Sequence, residues 1–404
     1  MTEILTTTAG SLPRPPELLE ANRTRPLAED GLTPLPSPEF DAALAAAVDH
    51  VVAKQKQIGI TVPGDGEYGK AMSTTFNYGS WWSYIFNRTS GLELAEGSLF
   101  ATAPPTAANA EGISLGAFGN RRDRQRFADV YATDAEVTKA GPQDKDARFP
   151  VAAGPITYTG QKLVASDIEN FRRSLQEHGY QQGFLTALSP GSGARIQDRH
   201  YGSEDAFLEA WADALHEEYR AITDAGLVVQ VDDPSIAENF DQIDPEPSIE
   251  DYLRFTRKRV EALNHALRGL PRELLRFHLC WGSWHGPHTT DIEFRHLVEL
   301  MLEIDVTYYS FEGANARHEH EYVVWDDVTL PEDKVIVPGV ITHSTNVVEH
   351  PELVAQRIRR YTRRVGAERV IASTDCGLGG RIHPDIAWAK LESLVAGAEI
   401  ASRS

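Results

Sequence analysis

The chain has 404 residues and a formal net charge of −20, from 59 acidic and 39 basic side chains. This balance excludes the basic face that nucleic acids and anionic membranes require, so we expect neither as a partner. The sequence has no run of about 18 apolar residues, which excludes a membrane-spanning helix, and Met1–Arg14 lacks the apolar stretch of a signal peptide. We therefore expect an acidic, cytoplasmic protein that acts on small molecules.

In chain order, short apolar runs alternate with longer helical patterns. Eight runs are predicted strands: Ile4–Thr8, Gly59–Pro63, Phe149–Ala153, Leu227–Val231, Leu275–Cys280, Val306–Phe311, Lys334–Val340 and Arg369–Ser373. Six stretches are predicted helices: Glu39–Ile58, Ala206–Ala225, Ile249–Leu270, Ile292–Glu303, Pro351–Val365 and Ile386–Ser402. Such alternation indicates a parallel sheet with right-handed crossovers. Eight units predict an α/β fold, a single (β/α)8 TIM barrel over residues 1–404. The alternative is an open doubly wound sheet, but no glycine-rich phosphate loop follows the first strand.

Residues 68–150, between predicted strands two and three, are much longer than a loop and one helix. We interpret them as an insertion with a helix and a projecting hairpin. The hairpin would join strands Gly112–Phe118 and Phe127–Tyr131 through a turn at Gly119–Asn120. The insertion would either cover the open end of the barrel or form a contact in a homo-oligomer.

Polar side chains follow the predicted strands, at the end of a barrel where active sites lie. They are Ser11, Glu67, Asp232, His278, Cys280, Glu312, His343 and Cys376. His278 and Cys280 are two residues apart on one strand and so point to the same face. Glu312 lies 32 residues beyond Cys280, and Cys376 lies 64 beyond Glu312. Because a βαβ unit takes roughly 30 residues or more, these positions recur at the same height on strands five, six and eight.

Imidazole, thiolate and carboxylate together suit zinc (Zn²⁺), which accepts N, S and O ligands. The alternative is that both cysteines are buried apolar residues and His278 is a hydrogen-bonded core histidine. His343 is a candidate general acid or proton shuttle, with a surface loop histidine as the alternative. We interpret the further histidines of this half as solvated loop residues. These are His285, His288, His318 and His320.

At these residues the sequence resembles the catalytic barrel of cobalamin-independent methionine synthase. The resemblance runs from the segment TTTAGSLPRP at residues 6–15 to the segment DCGL at residues 375–378. It implies zinc ligands at His278, Cys280, Glu312 and Cys376. It also implies contacts to a substrate amino acid at Ser11, Glu67 and Asp232, and a proton-relay histidine at His343.

Two segments depart from the two-barrel synthases. The aromatic that the family places against its folate is absent, and Thr159, Gly160 and Gln161 occupy that region. Residues 343–351 are similar to a single-barrel branch that includes epoxyalkane:coenzyme M transferases. An N-terminal barrel like that of the two-barrel enzymes is not part of the sequence.

Two thiolates and a carboxylate leave a zinc site electron-rich, which favours sulfur alkylation over hydrolysis. We therefore predict a zinc-dependent transferase that moves a methyl or other small alkyl group onto a thiol. Asp232 and Glu67 would bind an ammonium group, which favours homocysteine or a similar acceptor. The alternatives are alkylation of a small thiol such as coenzyme M, and a non-catalytic zinc-binding or regulatory barrel.

Overall fold

The computed structural model of the protein describes residues 2–29, 34–70, 81–95, 108–109, 112–113, 121–133 and 149–403. The strands of this part are β1 (Leu5–Thr6), β2 (Thr89–Ala95), β3 (Ala108–Asn109), β4 (Gly112–Ile113), β5 (Phe149–Tyr158), β6 (Phe184–Leu188), β7 (Gln197–Asp198), β8 (Val228–Asp233), β9 (Leu275–Leu279), β10 (Tyr308–Phe311), β11 (Val335–Ile341) and β12 (Ile371–Thr374). Its helices are α1 (Pro16–Arg23), α2 (Pro38–Ile58), α3 (Arg122–Arg126), α4 (Ala128–Thr133), α5 (Gln161–Glu177), α6 (Pro190–Gly193), α7 (Glu204–Asp224), α8 (Ile249–Leu267), α9 (Phe294–Leu302), α10 (Val324–Asp327), α11 (Pro351–Val365) and α12 (Pro384–Ser402).

A seven-stranded sheet organises the fold, in the order β1-β12-β11-β10-β9-β8-β6. All of its strand pairs are parallel. Every residue of β6, β8 and β9 is buried, as expected for strands covered on both faces. The sheet curls, so that both of its edges approach one short segment: Thr7 bridges Val62 on one side, and Phe184 bridges Gly64 on the other.

The helix boundaries follow from the residues at their ends. Ser37 accepts the backbone N–H of Phe40, and Pro38 is the first residue of α2. Gly59 ends the same helix with φ of +93°, a conformation that costs glycine little. Ser203 and Ser248 cap α7 and α8 in the same way. The six predicted helices are confirmed, with shifts of a few residues at their ends.

Six of the eight predicted strands are confirmed and correspond to β1, β8, β9, β10, β11 and β12. The prediction for Gly59–Pro63 is largely wrong, because this stretch contributes only the single bridge at Val62. The prediction of Phe149–Ala153 as a strand of the parallel sheet is also wrong. That run belongs to β5, which pairs antiparallel with β2 and parallel with β7 in a separate sheet. The neighbour of β8 in the parallel sheet is instead β6.

The region 68–150 has helical and strand elements where it is described. A 3-10 helix spans Trp81–Asn87, and β3 pairs antiparallel with β4. The predicted strand Phe127–Tyr131 is wrong: α4 begins at Ala128, and the Tyr131 hydroxyl donates to Asp123 Oδ2 at 2.8 Å. The predicted turn at Gly119–Asn120 lies outside the described residues, and the status of 68–150 as an insertion stays a prediction.

Buried hydrogen bonds of Arg88 and Tyr84 fix this region to two helices and to the end of β6. Arg88, just before β2, donates to Asp167 of α5 at 2.6 Å. The Tyr84 hydroxyl donates to Glu218 of α7 at 2.9 Å and accepts the backbone N–H of Leu188 at 3.0 Å. Because Leu188 ends β6, the region is anchored directly beside the end of a strand of the parallel sheet.

Candidate active site

Three side chains of types that can bind a metal meet where β9 and β12 end, and we call them the cysteine cluster: His278, Cys280 and Cys376. Their donor atoms all lie within 4.8 Å of one another. The two sulfurs are 3.7 Å apart and are not bonded to each other as a disulfide. The hydrogen bond between them lowers the pKa of the Cys376 thiol and raises that of Cys280.

The two ring nitrogens of His278 differ in their surroundings. Its Nδ1 lies 3.1 Å from the hydroxyl of Ser310, the residue in register on β10. Its Nε2 is buried and has no hydrogen-bond partner among the described residues. Burial, and then the charge of Arg276, lower the pKa of His278 to about 3. A neutral ring with one nitrogen held by a neighbour presents its other lone pair to a metal.

The spacing of the cysteine cluster fits a tetrahedral ion. Two sulfurs bound to zinc at about 2.3 Å in tetrahedral geometry lie about 3.8 Å apart. The 3.7 Å separation of the Cys280 and Cys376 sulfurs is close to this value. The unpartnered Nε2 of His278 supplies a third donor of the type that zinc accepts.

Glu312, directly after β10, belongs to a second group of donor atoms. One carboxylate oxygen lies within 4.8 Å of a ring nitrogen of His343 and of an oxygen of Asp375. The carboxylate of Glu312 accepts the backbone N–H of Trp281 at 3.0 Å and the amide of Asn315 at 2.7 Å. Burial raises the pKa of Glu312 to about 8. The structure thus places Glu312 beside the cysteine cluster but outside its 4.8 Å group.

His343 follows β11 and is buried, which contradicts the surface-loop alternative. Its Nδ1 has no hydrogen-bond partner among the described residues, and its carbonyl oxygen lies 3.0 Å from His285 Nε2. Burial, and then the nearby His285 and Arg381, hold its pKa well below the usual value. His343 is therefore a neutral base next to the Glu312 carboxylate.

Two buried carboxylates form the other side of the site, and we call Glu67 and Asp232 the acid pair. Asp232 lies on β8 in register with His278, and its Oδ1 accepts from Gln230 at 2.6 Å. Burial raises the pKa of Glu67 to about 7. Burial, followed by the charge of Glu67, raises the pKa of Asp232 well above its usual range. Glu67 has φ of +62° and fits only because Gly10 has no side chain: an added Cβ would lie 2.2 Å from its Oε1.

Ser11 packs against the loop that follows Cys376 of the cysteine cluster. Its carbonyl oxygen accepts the backbone N–H groups of Leu378 at 2.8 Å and Gly379 at 3.0 Å. A Cβ added to Gly377 would lie 2.1 Å from the Ser11 hydroxyl. The serine is therefore packed against the residue that follows Cys376.

Sequence reasoning missed several charged and polar residues of the site. Lys70 is buried, three residues after Glu67, and its ammonium donates to Thr186 Oγ1 at 2.6 Å. Asp375 precedes Cys376 and accepts the backbone N–H groups of Gly313 at 2.7 Å and Ala314 at 2.8 Å. Asp375 could have been predicted as a site residue, because it belongs to the Asp-Cys-Gly motif. No motif in the sequence marks Lys70 in this way.

The interpretation of His318 as a solvated loop residue is wrong. Its ring is buried between Asp291, at 3.1 Å, and Glu321, at 2.6 Å, and it lies 4.2 Å from the ring of Trp281. His288 is also fixed, since its Nδ1 lies 3.0 Å from Asp291 and its ring stacks on a tryptophan. His285 is half-buried, and only His320 of this set is exposed, as expected for a solvated residue.

Comparisons with known proteins bear on this site. Residues 178–400 match the family described as "Cobalamin-independent synthase, Catalytic domain". A methionine synthase of Thermococcus kodakarensis is 26% identical over 207 residues, which cover 51% of this chain and 53% of that protein. A 2-hydroxypropyl-CoM lyase of Xanthobacter autotrophicus is 28% identical over 229 residues, which cover 50% of this chain and 57% of that protein. The chain thus matches about half the length of these curated relatives.

Solved structures extend the likeness of fold over the whole chain. A B12-independent methionine synthase from Shewanella sp. W3-18-1, determined in complex with selenomethionine, has a TM-score of 0.68. It is 20% identical and covers 100% of this chain and 98% of that one. No helix in the described ranges is long and apolar enough to cross a membrane. Since the family match covers more than half of the residues, the chain belongs to the cobalamin-independent synthase catalytic-domain family.

Proposed function

We propose that the protein is a zinc-dependent transferase that moves a methyl or other small alkyl group onto a substrate thiol. The observation that supports this most directly is the pair of free sulfurs 3.7 Å apart beside the unpartnered His278 Nε2. Membership of the synthase family and the methionine synthase relative support the same reaction class. The place of the protein would then be in methionine biosynthesis or a related thiol alkylation.

The proposed zinc ligands are His278, Cys280 and Cys376, with Glu312 as the fourth. Zinc, when bound, would deprotonate the substrate thiol and keep it nucleophilic at neutral pH. Glu312 is the hardest donor beside two soft thiolates, so it is the ligand that gives way most easily. Its hydrogen bonds to Trp281 and Asn315 support this role, because they satisfy both carboxylate oxygens.

The proposed acceptor site consists of Ser11, Glu67 and Asp232. Raised pKa values leave the acid pair ready to exchange a proton for an ammonium group. Because Asp232 is in register with His278, an ammonium bound here would leave the thiol of a short amino acid near the cysteine cluster. Homocysteine has this combination of groups.

His343 is the proposed proton carrier. An imidazole with a lowered pKa does not retain the proton that a thiol releases on binding, but it can pass that proton on to a neighbouring acceptor. Its ring nitrogen lies within 4.8 Å of the oxygens of Glu312 and Asp375, which supply neighbouring acceptors.

A second candidate is alkylation of a small anionic thiol, as the name of the 2-hydroxypropyl-CoM lyase relative suggests. The observation in its favour is Arg381, whose guanidinium donates to Ser283 at 2.7 Å and whose charge, after the hydrogen bond with Cys280, helps to lower the pKa of Cys376. A cation this close to the sulfurs would attract a sulfonate. The acid pair would repel the same group, which is why we place this candidate second.

The curled sheet supports a further structural proposal. We propose that the segment at Val62–Gly64 acts as a short second strand and completes a (β/α)8 TIM barrel. In this proposal residues 1–404 form one catalytic domain, and 68–150 are an insertion available for homo-oligomer contacts. A cytoplasmic location is part of the same proposal.

The test is a screen of acceptors against donors, read by product mass. The zinc-loaded protein is incubated with homocysteine or coenzyme M, each combined with a methylfolate, a methylated corrinoid or a short epoxide. We expect an alkylated thiol from at least one pairing, and none with a Cys280→Ala control. Full zinc occupancy without an alkylated thiol from any pairing would contradict the transferase proposal.

A further inference from the structure

Asn315 lies in the loop after β10, three residues beyond Glu312, and is buried. Its Oδ1 accepts the backbone N–H groups of Arg317 and His318, both at 3.0 Å. These two bonds fix which way the amide faces, because the opposite orientation would set an NH₂ group against two N–H donors. Its Nδ2 is thereby directed at Glu312 Oε2, at 2.7 Å.

The second oxygen of Glu312 has an equally rigid donor. It accepts the backbone N–H of Trp281, the residue directly after Cys280, at 3.0 Å. Trp281 is itself fixed, since its indole N–H donates to the carbonyl of Ile292 at 2.8 Å and its ring packs on His318. Each oxygen of the Glu312 carboxylate thus has its own neutral donor, and both donors belong to well-packed parts of the chain.

The Asn315 amide and the Trp281 N–H lose their acceptors unless the Glu312 carboxylate lies between them. A buried N–H without an acceptor destabilises the fold, so the Asn315 amide and the Trp281 N–H favour Glu312 in its present position. That position is outside the 4.8 Å group of His278, Cys280 and Cys376. The two donors therefore compete with any metal for the Glu312 side chain.

We propose that Asn315 is a positioning residue which, with the Trp281 backbone N–H, holds the Glu312 carboxylate away from the cysteine cluster and so leaves a ligand position for the acceptor thiol. This inference rests on the proposed zinc-dependent thiol transfer. In this proposal the loop after β10 controls how easily the acceptor thiol displaces Glu312.

Two substitutions separate this role from a structural one. Asn315→Asp and Asn315→Ser both keep an oxygen that can accept the Arg317 and His318 N–H groups, but neither offers the amide donor to Glu312. Asn346→Asp is the matched control, since it makes the same chemical change at an exposed position after β11. Melting temperature establishes that the loop is intact in all three.

The first measurement is homocysteine affinity of the zinc-loaded protein by titration calorimetry. Loss of a hydrogen bond to a charged group corresponds to roughly a 10- to 150-fold change, so we expect both Asn315 variants to bind at least about tenfold more weakly. The second measurement is zinc release to a chelator without thiol. We expect slower release from both variants, because Glu312 then remains on the metal. A purely structural role predicts faster release.

A double-mutant cycle with Glu312→Ala completes the test. In that background the Asn315 substitutions should change neither affinity nor release. Wild-type affinity in both single variants overturns the proposal, as does a loss that persists when Glu312 is absent. If the wild-type protein binds no thiol, the proposed function fails, while the release rates still report where Glu312 is held.

Discussion

The cysteine cluster and the acid pair face each other across two neighbouring strands, yet burial shifts the pKa values of their side chains in opposite directions. Burial lowers the pKa of His278 to about 3 and keeps that imidazole neutral, whereas burial raises the pKa of Glu67 to about 7 and keeps a proton on or near the acid pair. One side presents lone pairs at a fixed spacing of 3.7 Å between the cysteine sulfurs. The acid pair can release a proton and bind a cation in its place. The first therefore suits a resident metal ion and the second a substrate cation.

The backbone beneath the two sides differs as well. His278 and Asp232 are paired in the strand register, so their positions follow from the sheet itself. Glu67 depends instead on a left-handed conformation, and on the glycine at position 10 that makes room for its carboxylate. The cysteine cluster should accordingly keep its geometry when the acid pair is altered. Substitutions on either side test this independence.

The largest effect is expected from removal of a sulfur. Cys280→Ala and Cys376→Ala should each abolish stoichiometric zinc and turnover, because one soft ligand of a two-thiolate site is gone. Glu312→Ala should retain more zinc than either cysteine variant. Elemental analysis of the purified proteins measures this directly. Full occupancy in a cysteine variant, or equal loss in all three, would contradict the assignment.

Replacement of His343 should be the next largest effect and should spare the metal. His343→Ala should lose roughly 10²–10⁴-fold in turnover, the range typical of general acid–base catalysis. Zinc content and homocysteine affinity should stay near wild type, because the cysteine cluster does not include His343. His343→Asn serves as a polar control that cannot carry the proton. Wild-type turnover in either variant would make the histidine a bystander.

Much of the parallel sheet could be predicted from the sequence, because its strands are short, mostly apolar runs that alternate with longer helical patterns. This holds for β8, β9, β10, β11 and β12. The same pattern misplaced Phe149–Ala153, since an apolar run does not reveal which sheet it joins. That run pairs with β2, about 60 residues earlier and in the antiparallel sense. The shorter run that forms β6 was passed over as a result.

In the candidate site, too, residues placed by regular strands could be predicted and residues placed by loops could not. Strand alternation and βα spacing brought His278, Cys280 and Cys376 together correctly in space, because both follow from regular backbone geometry. The contacts of His318 could not be predicted, because its partner Asp291 lies 27 positions away on an irregular loop. The donors that face Glu312 also depend on loop conformation. No sequence period encodes such contacts.

The acid pair should be more tolerant of change than the cysteine cluster. Asp232→Asn keeps the shape and the acceptor for Gln230 but removes the charge. A charge-assisted hydrogen bond is worth about 1.5–3 kcal/mol, so homocysteine should bind roughly 10–150-fold more weakly. Coenzyme M should bind equally well or better, because a like charge has gone. Asp233→Asn is a matched control, since Asp233, the last residue of β8, accepts the backbone N–H of Ser235 just after the strand.

Zinc occupancy is the second readout for this variant. It should be unchanged in Asp232→Asn if the two sides are independent. Weaker binding of coenzyme M alone would reverse the ranking of the two candidate functions. The anionic thiol would then become the preferred acceptor.

The smallest predicted effect is a pH dependence of ammonium binding, set by Glu67. Burial raises the pKa of this carboxyl to about 7, so below that pH the side chain carries a proton and attracts a cation weakly. Because a raised carboxyl pKa favours the protonated folded state, the matching contribution to stability is present at low pH and is lost as the pH rises through about 7. The affinity for an ammonium group should change in the opposite direction and increase as Glu67 loses its proton.

Norleucine tests this sign because it has the ammonium group of an amino acid but no thiol to titrate. Its affinity should fall by up to about tenfold for each pH unit below about 7 and level off above it. Glu67→Gln should remove the pH dependence, because the amide has no proton to lose in this range. A profile with the same midpoint in Glu67→Gln would assign the titration to another group. It would also separate Glu67 from the acceptor site while leaving the cysteine cluster untouched.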